Sequence, residues 1–325
     1  MTGLFYRRPE AALGIDIGST SVKLVELSRS AGGYRLEAWA REPLAPQAMT
    51  ERHIREPSLV AAALARAMAR ARIRSASAVV AVCGASVVTR TLDMEAGLDD
   101  EEMNLQLRAE ANRHIPYPID DVAMDFEVRE QGAHEPGRVS VFLAACRREH
   151  VDRREAALAL AGLRVRAVDI ETAAIERFWG LSFPEGGPVE EGLCVALVDL
   201  GAGMLRLSVL QAGCIRYGRE QPFAEGITVD DREGRAEAIT VEVLRALRFF
   251  QASSVLPAPG FIGLFGGGAS LAGLAASIRQ RSGIPTEILD PLRVLRRGER
   301  AIVPVRADIA PALALACGLA LGGFS

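Results

Sequence analysis

The sequence predicts an α/β protein built as two related mixed-sheet domains facing each other across a cleft. Three observations carry this. Leu13 to Leu27, LGIDIGSTSVKLVEL, reads as a buried strand, a break at Gly18-Ser19-Thr20 and a second strand. The pattern returns at Ala196 to Leu210, ALVDLGAGMLRLSVL, with Asp199 matching Asp16, Gly201 matching Gly18 and Arg206 falling opposite Lys23. Around both hairpins, short β-branched apolar runs alternate with helical stretches, as they do where helices cover sheets. A repeat of this kind is evidence about architecture.

In chain order, Tyr34 to Ala40 continues the first hairpin as a strand. Pro57 to Arg72 is rich in strong helix formers, with proline at the first turn. Ala78 to Cys83 is a continuous apolar run that fits a buried strand. Val87 to Met94 alternates like a strand. Asp99 can cap a helix reaching His114, with acidic residues crowding its first turn. Two prolines, Pro116 and Pro118, end it. Ala123 to Arg129 and Val139 to Ala145 read as strands, joined by the polar loop Glu130 to Arg138. Arg148 to Ala161 is a helix closed by Gly162. Leu163 to Val168 is a strand, and Ile170 to Trp179 a helix. Ser182 to Gly192 has the composition of a linker. After the second hairpin come the strand Cys214 to Pro222, a long helix from Ala236 to Ser253 and the strand Phe261 to Phe265. Gly266, Gly267 and Gly268 then lead into a helix from Ser270 to Arg281, closed by Gly283. Asp308 to Leu321 reads as an apolar helix packed under the second domain. The first domain is thus expected at 1–83 and 146–181, a small inserted subdomain at 84–145, and the second domain at 182–325.

The hairpin turns suggest chemistry. Glycine lets backbone approach a ligand closely. Turn N–H groups and the Ser19 and Thr20 hydroxyls can form a nest for phosphate. Lys23, the sole lysine among 38 basic residues, can add a compact positive charge. Asp16 is placed to hold a hydrated Mg²⁺. Taken alone, the stretch is also compatible with an ordinary Gly-Ser turn. The recurrence around Asp199 would set two nests and two carboxylates across one cleft. The triple glycine would let a nucleotide lie against backbone at a helix N-terminus.

The totals exclude several classes. A net charge of −3 gives no general attraction to nucleic acid or anionic lipid. Five widely spaced cysteines (Cys83, Cys146, Cys194, Cys214 and Cys317) read as buried free thiols of a reducing compartment. Four histidines without an HExxH pattern argue against a metalloprotease or a histidine-based nucleophilic enzyme. There is no GxxxxGK[ST] loop. The first residues lack the apolar core of a signal peptide, and no apolar run approaches the roughly 20 residues needed to span a bilayer. A cytoplasmic protein is expected.

Three turns in order, DIGST at Asp16, DLGAG at Asp199 and FGGGA at Phe265, resemble the actin-like ATPase superfamily, as does DIETAAI at Asp169. Within it the chain resembles the PilM family of type IV pilus assembly. LGIDIGSTSVKLVELSRS, AGLDDEEMNLQLRAEANRHIPYPIDDVAMDF, LAACRREHV and APALALACGLAL carry this likeness, and it covers nearly the whole chain. The resemblance implies an actin-like fold with an FtsA-like inserted subdomain. It implies ATP and Mg²⁺, with phosphates held by Gly18, Ser19, Thr20, Lys23, Gly201, Gly203, Gly266, Gly267 and Gly268. Asp16 and Asp199 would hold the metal through water, and Glu171 would position the attacking water. It further implies docking of the cytoplasmic N-terminal peptide of a PilN-type membrane protein, contact with other pilus platform proteins and recruitment to the inner membrane. Leu105, Arg108, Asn112 and Tyr117, on the inserted helix and its exit, are the candidate docking residues.

Two departures keep other readings open. About fifteen residues, Pro222 to Ala236, replace the family's longer outer subdomain beside the adenosine, so the second domain is shortened. Gly203 and Met204 stand where the family has hydroxyls. The alternatives are a degenerate partner-binding module without nucleotide and a small-molecule kinase. For the kinase, no catalytic aspartate between the domains stands out.

Overall fold

The computed structural model describes residues 11–30, 32–50, 52–129, 137–184, 187–188, 192–223, 232–298, 300–301 and 305–324. Strands β1 (Ala11–Ile17), β2 (Ser21–Ser30) and β3 (Gly33–Pro43) form an antiparallel meander. The short pair β4 (Met49–Thr50) and β5 (His53–Ile54) leads into α1 (Pro57–Ala71), and β6 (Ser77–Val82) returns parallel to β1. Next come β7 (Val87–Glu95), α2 (Asp100–His114), β8 (Val122–Arg129) and β9 (Arg138–Arg147). They are followed by α3 (Arg148–Leu160), β10 (Arg164–Ile170) and α4 (Glu171–Ser182). The second half runs β11 (Cys194–Leu200), β12 (Met204–Gln211), β13 (Cys214–Pro222), α5 (Arg232–Ser253), β14 (Pro259–Phe265), α6 (Leu274–Ser282) and β15 (Thr286–Ile288). The chain closes with β16 (Arg296–Arg297) and α7 (Ala314–Gly322).

The repeat read from the hairpins extends to five strands of each sheet, with β16 an unmatched sixth beside β3. The first sheet has the order β10-β6-β1-β2-β3-β16 and the second β15-β14-β11-β12-β13. Each is a meander of three antiparallel strands with parallel strands added on the other side of the first. Strand side chains alternate between faces, so a run buried on both faces must be apolar throughout. Along β11, Cys194, Ala196, Val198 and Leu200 pack against Val243, Leu247 and Phe250 of α5 and Ile278 of α6. The alternate residues Val195 and Leu197 pack against Phe178 and Trp179 of α4 and Leu315 and Leu319 of α7. On the first sheet, Leu13, Ile15 and Leu24 meet Leu64 of α1 and Leu158 of α3, while Val25 and Leu27 meet Ala316 and Ala320 of α7. The result is a five-layer stack in which α4 and α7 lie between the two sheets.

Local signals account for the helix ends. Pro57 occupies the first turn of α1, and Arg72 closes it in the left-handed conformation. Asp99 accepts the Glu101 and Glu102 N–H groups while Glu102 reaches back to the Asp99 N–H, a capping box. The inserted sheet has the order β7-β9-β8, with one face covered by Met103, Leu107 and Ala111 of α2.

Two expectations need correction. The helix after the triple glycine starts at Leu274, not Ser270. Gly268 N–H bonds the Leu200 carbonyl, and successive turns through Ala269 and Leu271 consume the intervening residues. The last helix does not lie under the second domain alone. It is buried all round, from Ala314 to Leu321, because it is enclosed by α4 and both sheets. Gly318 makes this possible: a Cβ there would sit 1.9 Å from the Ala174 carbonyl oxygen. The loop at 130–136 and most of the connection from Pro222 to Ala236 lie outside the described residues.

Candidate functional site

Both hairpins place an aspartate directly across from a basic residue. Asp16 pairs with Lys23 in the register of β1 and β2, and Asp199 with Arg206 in that of β11 and β12. Both turns close the same way. Gly18 N–H donates to the Ser21 carbonyl at 3.1 Å, and Gly201 N–H to the Met204 carbonyl at 2.9 Å. These two amides therefore belong to the turns and do not join a phosphate nest. The amides of Ser19 and Thr20 make no such bond. In the triple glycine, Gly266 N–H bonds Pro311 and Gly268 N–H bonds Leu200, which leaves the Gly267 amide unbonded among the described residues. Gly266 has φ +89°, and a Cβ there would lie 2.2 Å from Asp199 Oδ1, so no other residue fits without displacing the carboxylate.

These turns converge. Asp16, Gly18, Ser19, Thr20 and Lys23 line one side of a cavity of about 490 Å³; Asp199, Gly201, Gly203 and the glycines 266 to 268 line the other. Glu171, at the first turn of α4, reaches the same space, as do Arg41, Arg52 and Arg235. Lys23 Nζ lies 2.7 Å from Asp16 Oδ2, both side chains retaining some exposure. Burial pushes the Asp199 carboxyl above its usual range, against the pull of Arg206. Two hard carboxylates facing one cavity, one of them poorly solvated, suit a hydrated divalent cation such as Mg²⁺. Lys23 with the Ser19, Thr20 and Gly267 amides suits an adjacent phosphate.

Glu171 is heavily engaged. Its Oε1 accepts from Arg52 Nη2 at 2.5 Å, and its Oε2 accepts the Gly84 N–H at 3.0 Å and lies 2.7 Å from Arg206 Nη2. Arg206 also reaches Glu220 at 2.9 Å and Asp199 at 3.5 Å, and its side chain is 5% exposed. Burial works against both guanidinium charges, but Glu171 and the other carboxylates outweigh it and raise Arg52 and Arg206. Arg52 Nε donates to Cys83 Sγ at 2.7 Å. Burial first, then Glu171, pushes the Cys83 thiol up, away from reactivity. Cys83, Glu171 and Glu220 lie close enough to share a metal, yet two guanidinium groups already neutralise them. This network joins the turn between β4 and β5, the residues just after β6, α4, β12 and β13. It also forms the wall between the 490 Å³ cavity and a larger hollow of about 830 Å³ lined by β7, α4 and β13.

The sequence reading missed Arg41, Arg52, Arg235 and Glu220. Glu220 had a signal, since it pairs with Arg206 in the register of β12 and β13. Arg52 had none, because it meets Glu171 across 119 positions of chain. The candidate docking residues are not brought to one place. Leu105 and Arg108 are exposed on α2. Tyr117 is half-buried beneath Arg147 in a separate hollow with His53 and His150. The side chain of Asn112 lies outside the described residues.

The sheet order, the paired hairpins and the cavity between them define an actin-like ATPase fold. The chain belongs to the family described as type IV pilus assembly protein PilM, whose model matches residues 14–230 and 235–324. A solved structure described as the PilM-PilN type IV pilus biogenesis complex is 27% identical, with a TM-score of 0.78 over 97% of this chain and 98% of that one. The ethanolamine utilization protein EutJ from Carboxydothermus hydrogenoformans shares the fold at 16% identity, with a TM-score of 0.53 over 96% of this chain and 90% of that one. Among the described residues, no helix is long and apolar enough to cross a membrane.

Proposed function

We propose that this chain is a cytoplasmic, ATP-binding scaffold of type IV pilus assembly that docks a PilN-type membrane protein and is recruited by it to the inner membrane. The observation that supports nucleotide binding is the convergence of turns from residues 16–23, 199–204 and 266–268 on one cavity. In this reading Asp16 and Asp199 hold Mg²⁺ through water, and Lys23 with the Ser19, Thr20 and Gly267 amides holds phosphates. Bound Mg²⁺ would screen the phosphate charge between the two carboxylates. Glu171 keeps both domains in register. A carboxylate whose oxygens already accept from Arg52 and the Gly84 amide and pair with the Arg206 charge is a poor base for activating water, so binding dominates over turnover. Calorimetric titration with Mg²⁺·ATP tests this: the parent chain is expected to bind and Lys23→Ala to lose at least about tenfold in affinity. A parent chain that takes no nucleotide would leave a partner-binding module.

For the partner peptide, the face of the inserted sheet opposite α2 is favoured over α2 itself. Ala123, Phe142 and Ala144 on that face look into a hollow of about 580 Å³, across from Val168, Ile170 and Ala173. Asp125, Glu127, Asp169 and Arg177 also line it, and a groove of apolar residues with flanking charges suits an extended peptide. Ala144→Arg is expected to block binding of a synthetic peptide copying the partner's cytoplasmic N-terminus, and Leu105→Ala to leave it unchanged. The reverse result would return docking to α2.

A further inference from the structure

The repeat gives each hairpin a basic residue, but the two do not face a ligand equally. Lys23 touches one carboxylate and lines the cavity. Arg206 is closed in by Glu171, Asp199 and Glu220 and is absent from the cavity lining. The second domain nevertheless brings a cation to the cavity from another element. Arg235, on the first turns of α5, lines it, and its Nε is buried without a hydrogen-bond partner. Among the described residues no carboxylate pairs with it. Of the described acidic side chains on its own helix, Glu237 pairs with Arg281 and Glu242 with Gln221, while that of Glu233 lies outside the described residues. A guanidinium N–H shielded from water and left without an acceptor is costly unless a ligand supplies one. Across the cavity stand Lys23 and the unbonded Ser19 and Thr20 amides.

We propose that Arg235 is the second domain's ligand cation, donating to a phosphate oxygen of the bound nucleotide from the side opposite Lys23. This rests on the reading above that the cavity takes a nucleoside triphosphate. The planar fork of arginine suits two phosphate oxygens at once, and its charge persists when water is excluded. A phosphate held by Lys23 of the first domain and Arg235 of the second would tie the domains together through the ligand. The role falls to Arg235 because Arg206 is already committed to the wall of the cavity.

The test is calorimetry of the parent chain, Arg235→Ala, Arg235→Lys and Arg245→Ala with Mg²⁺·ATP, inorganic tripolyphosphate and adenosine, beside thermal melts of each. Arg245 is on the same helix, exposed and away from the cavity. Arg235→Ala is expected to weaken ATP and tripolyphosphate by about tenfold or more while leaving adenosine and the melting midpoint unchanged. Arg235→Lys should recover part of the loss, and Arg245→Ala should match the parent. If the parent binds ATP and Arg235→Ala binds it equally well, the assignment of Arg235 falls and nucleotide binding stands. If adenosine is weakened as much as ATP, the residue serves the nucleoside and the phosphate role is wrong. If the parent binds none of the three ligands, the nucleotide reading falls and this inference with it.

Discussion

In the first hairpin Lys23 meets Asp16 at 2.7 Å and otherwise faces an open cavity. In the second, Arg206 stands 3.5 Å from Asp199 but 2.7 Å from Glu171 and 2.9 Å from Glu220. The register is the same and the outcome opposite. Lysine carries a compact charge on a flexible stem that a ligand can share. Arginine presents a rigid fork that several carboxylates can occupy at once. On the proposed reading the first hairpin receives an anion, whereas the second ties β12 and β13 to α4.

The largest expected effect separates these roles. Arg206→Ala strips a buried cation from three carboxylates and should cost about 3–5 kcal/mol of stability, read by denaturant unfolding. Arg206→Lys should recover little, because one ammonium cannot reach all three. A loss below about 1 kcal/mol would show that the network is not such a tie. Next, Lys23→Ala should cost only about 1 kcal/mol, since its single pair stands beside an open cavity, while removing most of the affinity for Mg²⁺·ATP. If it unfolds the chain as readily as Arg206→Ala, the contrast between the hairpins collapses.

The smallest effect concerns Asp199. Its carboxyl is raised by burial, so the folded state favours the protonated form. Stability from that preference is fully present below the unfolded carboxylate value of about 3.9 and is lost as pH rises through the folded value. Asp199 thus weakens the fold at neutral pH. Asp199→Asn should raise the melting midpoint slightly at pH 7, and the gain should shrink as pH falls through the folded pKa. A lower midpoint at pH 7 would mean that the attraction of Arg206 outweighs the burial of Asp199.

The sequence alone made much of this legible. The two hairpins, the correspondence of Asp199 with Asp16 and of Arg206 with Lys23, and the glycine run at 266–268 are local patterns. Strand periodicity and turn composition encode them within a few residues. The cap at Asp99 was readable for the same reason. The family likeness added Glu171, whose neighbours in the chain do not reveal where its carboxylate points. The start of α6 was misread because three glycines and a helix-compatible stretch cannot tell a continuous helix from the successive turns that the bond between Gly268 and Leu200 imposes. The place of α7 was misread because an apolar helix records that it is buried, not what buries it.

The amino-acid order by itself determined the two hairpins, their recurrence and the turns that bound the cavity, since each depends on contacts between chain neighbours or on a repeated pattern. Tertiary structure alone decided which charges remain open to a ligand. Arg52 reaches Glu171, Arg206 reaches both Glu171 and Glu220, and among the described residues no carboxylate pairs with Arg235. A buried charge is governed by whichever opposite charge the fold brings within a few ångströms, and sequence distance does not report that separation.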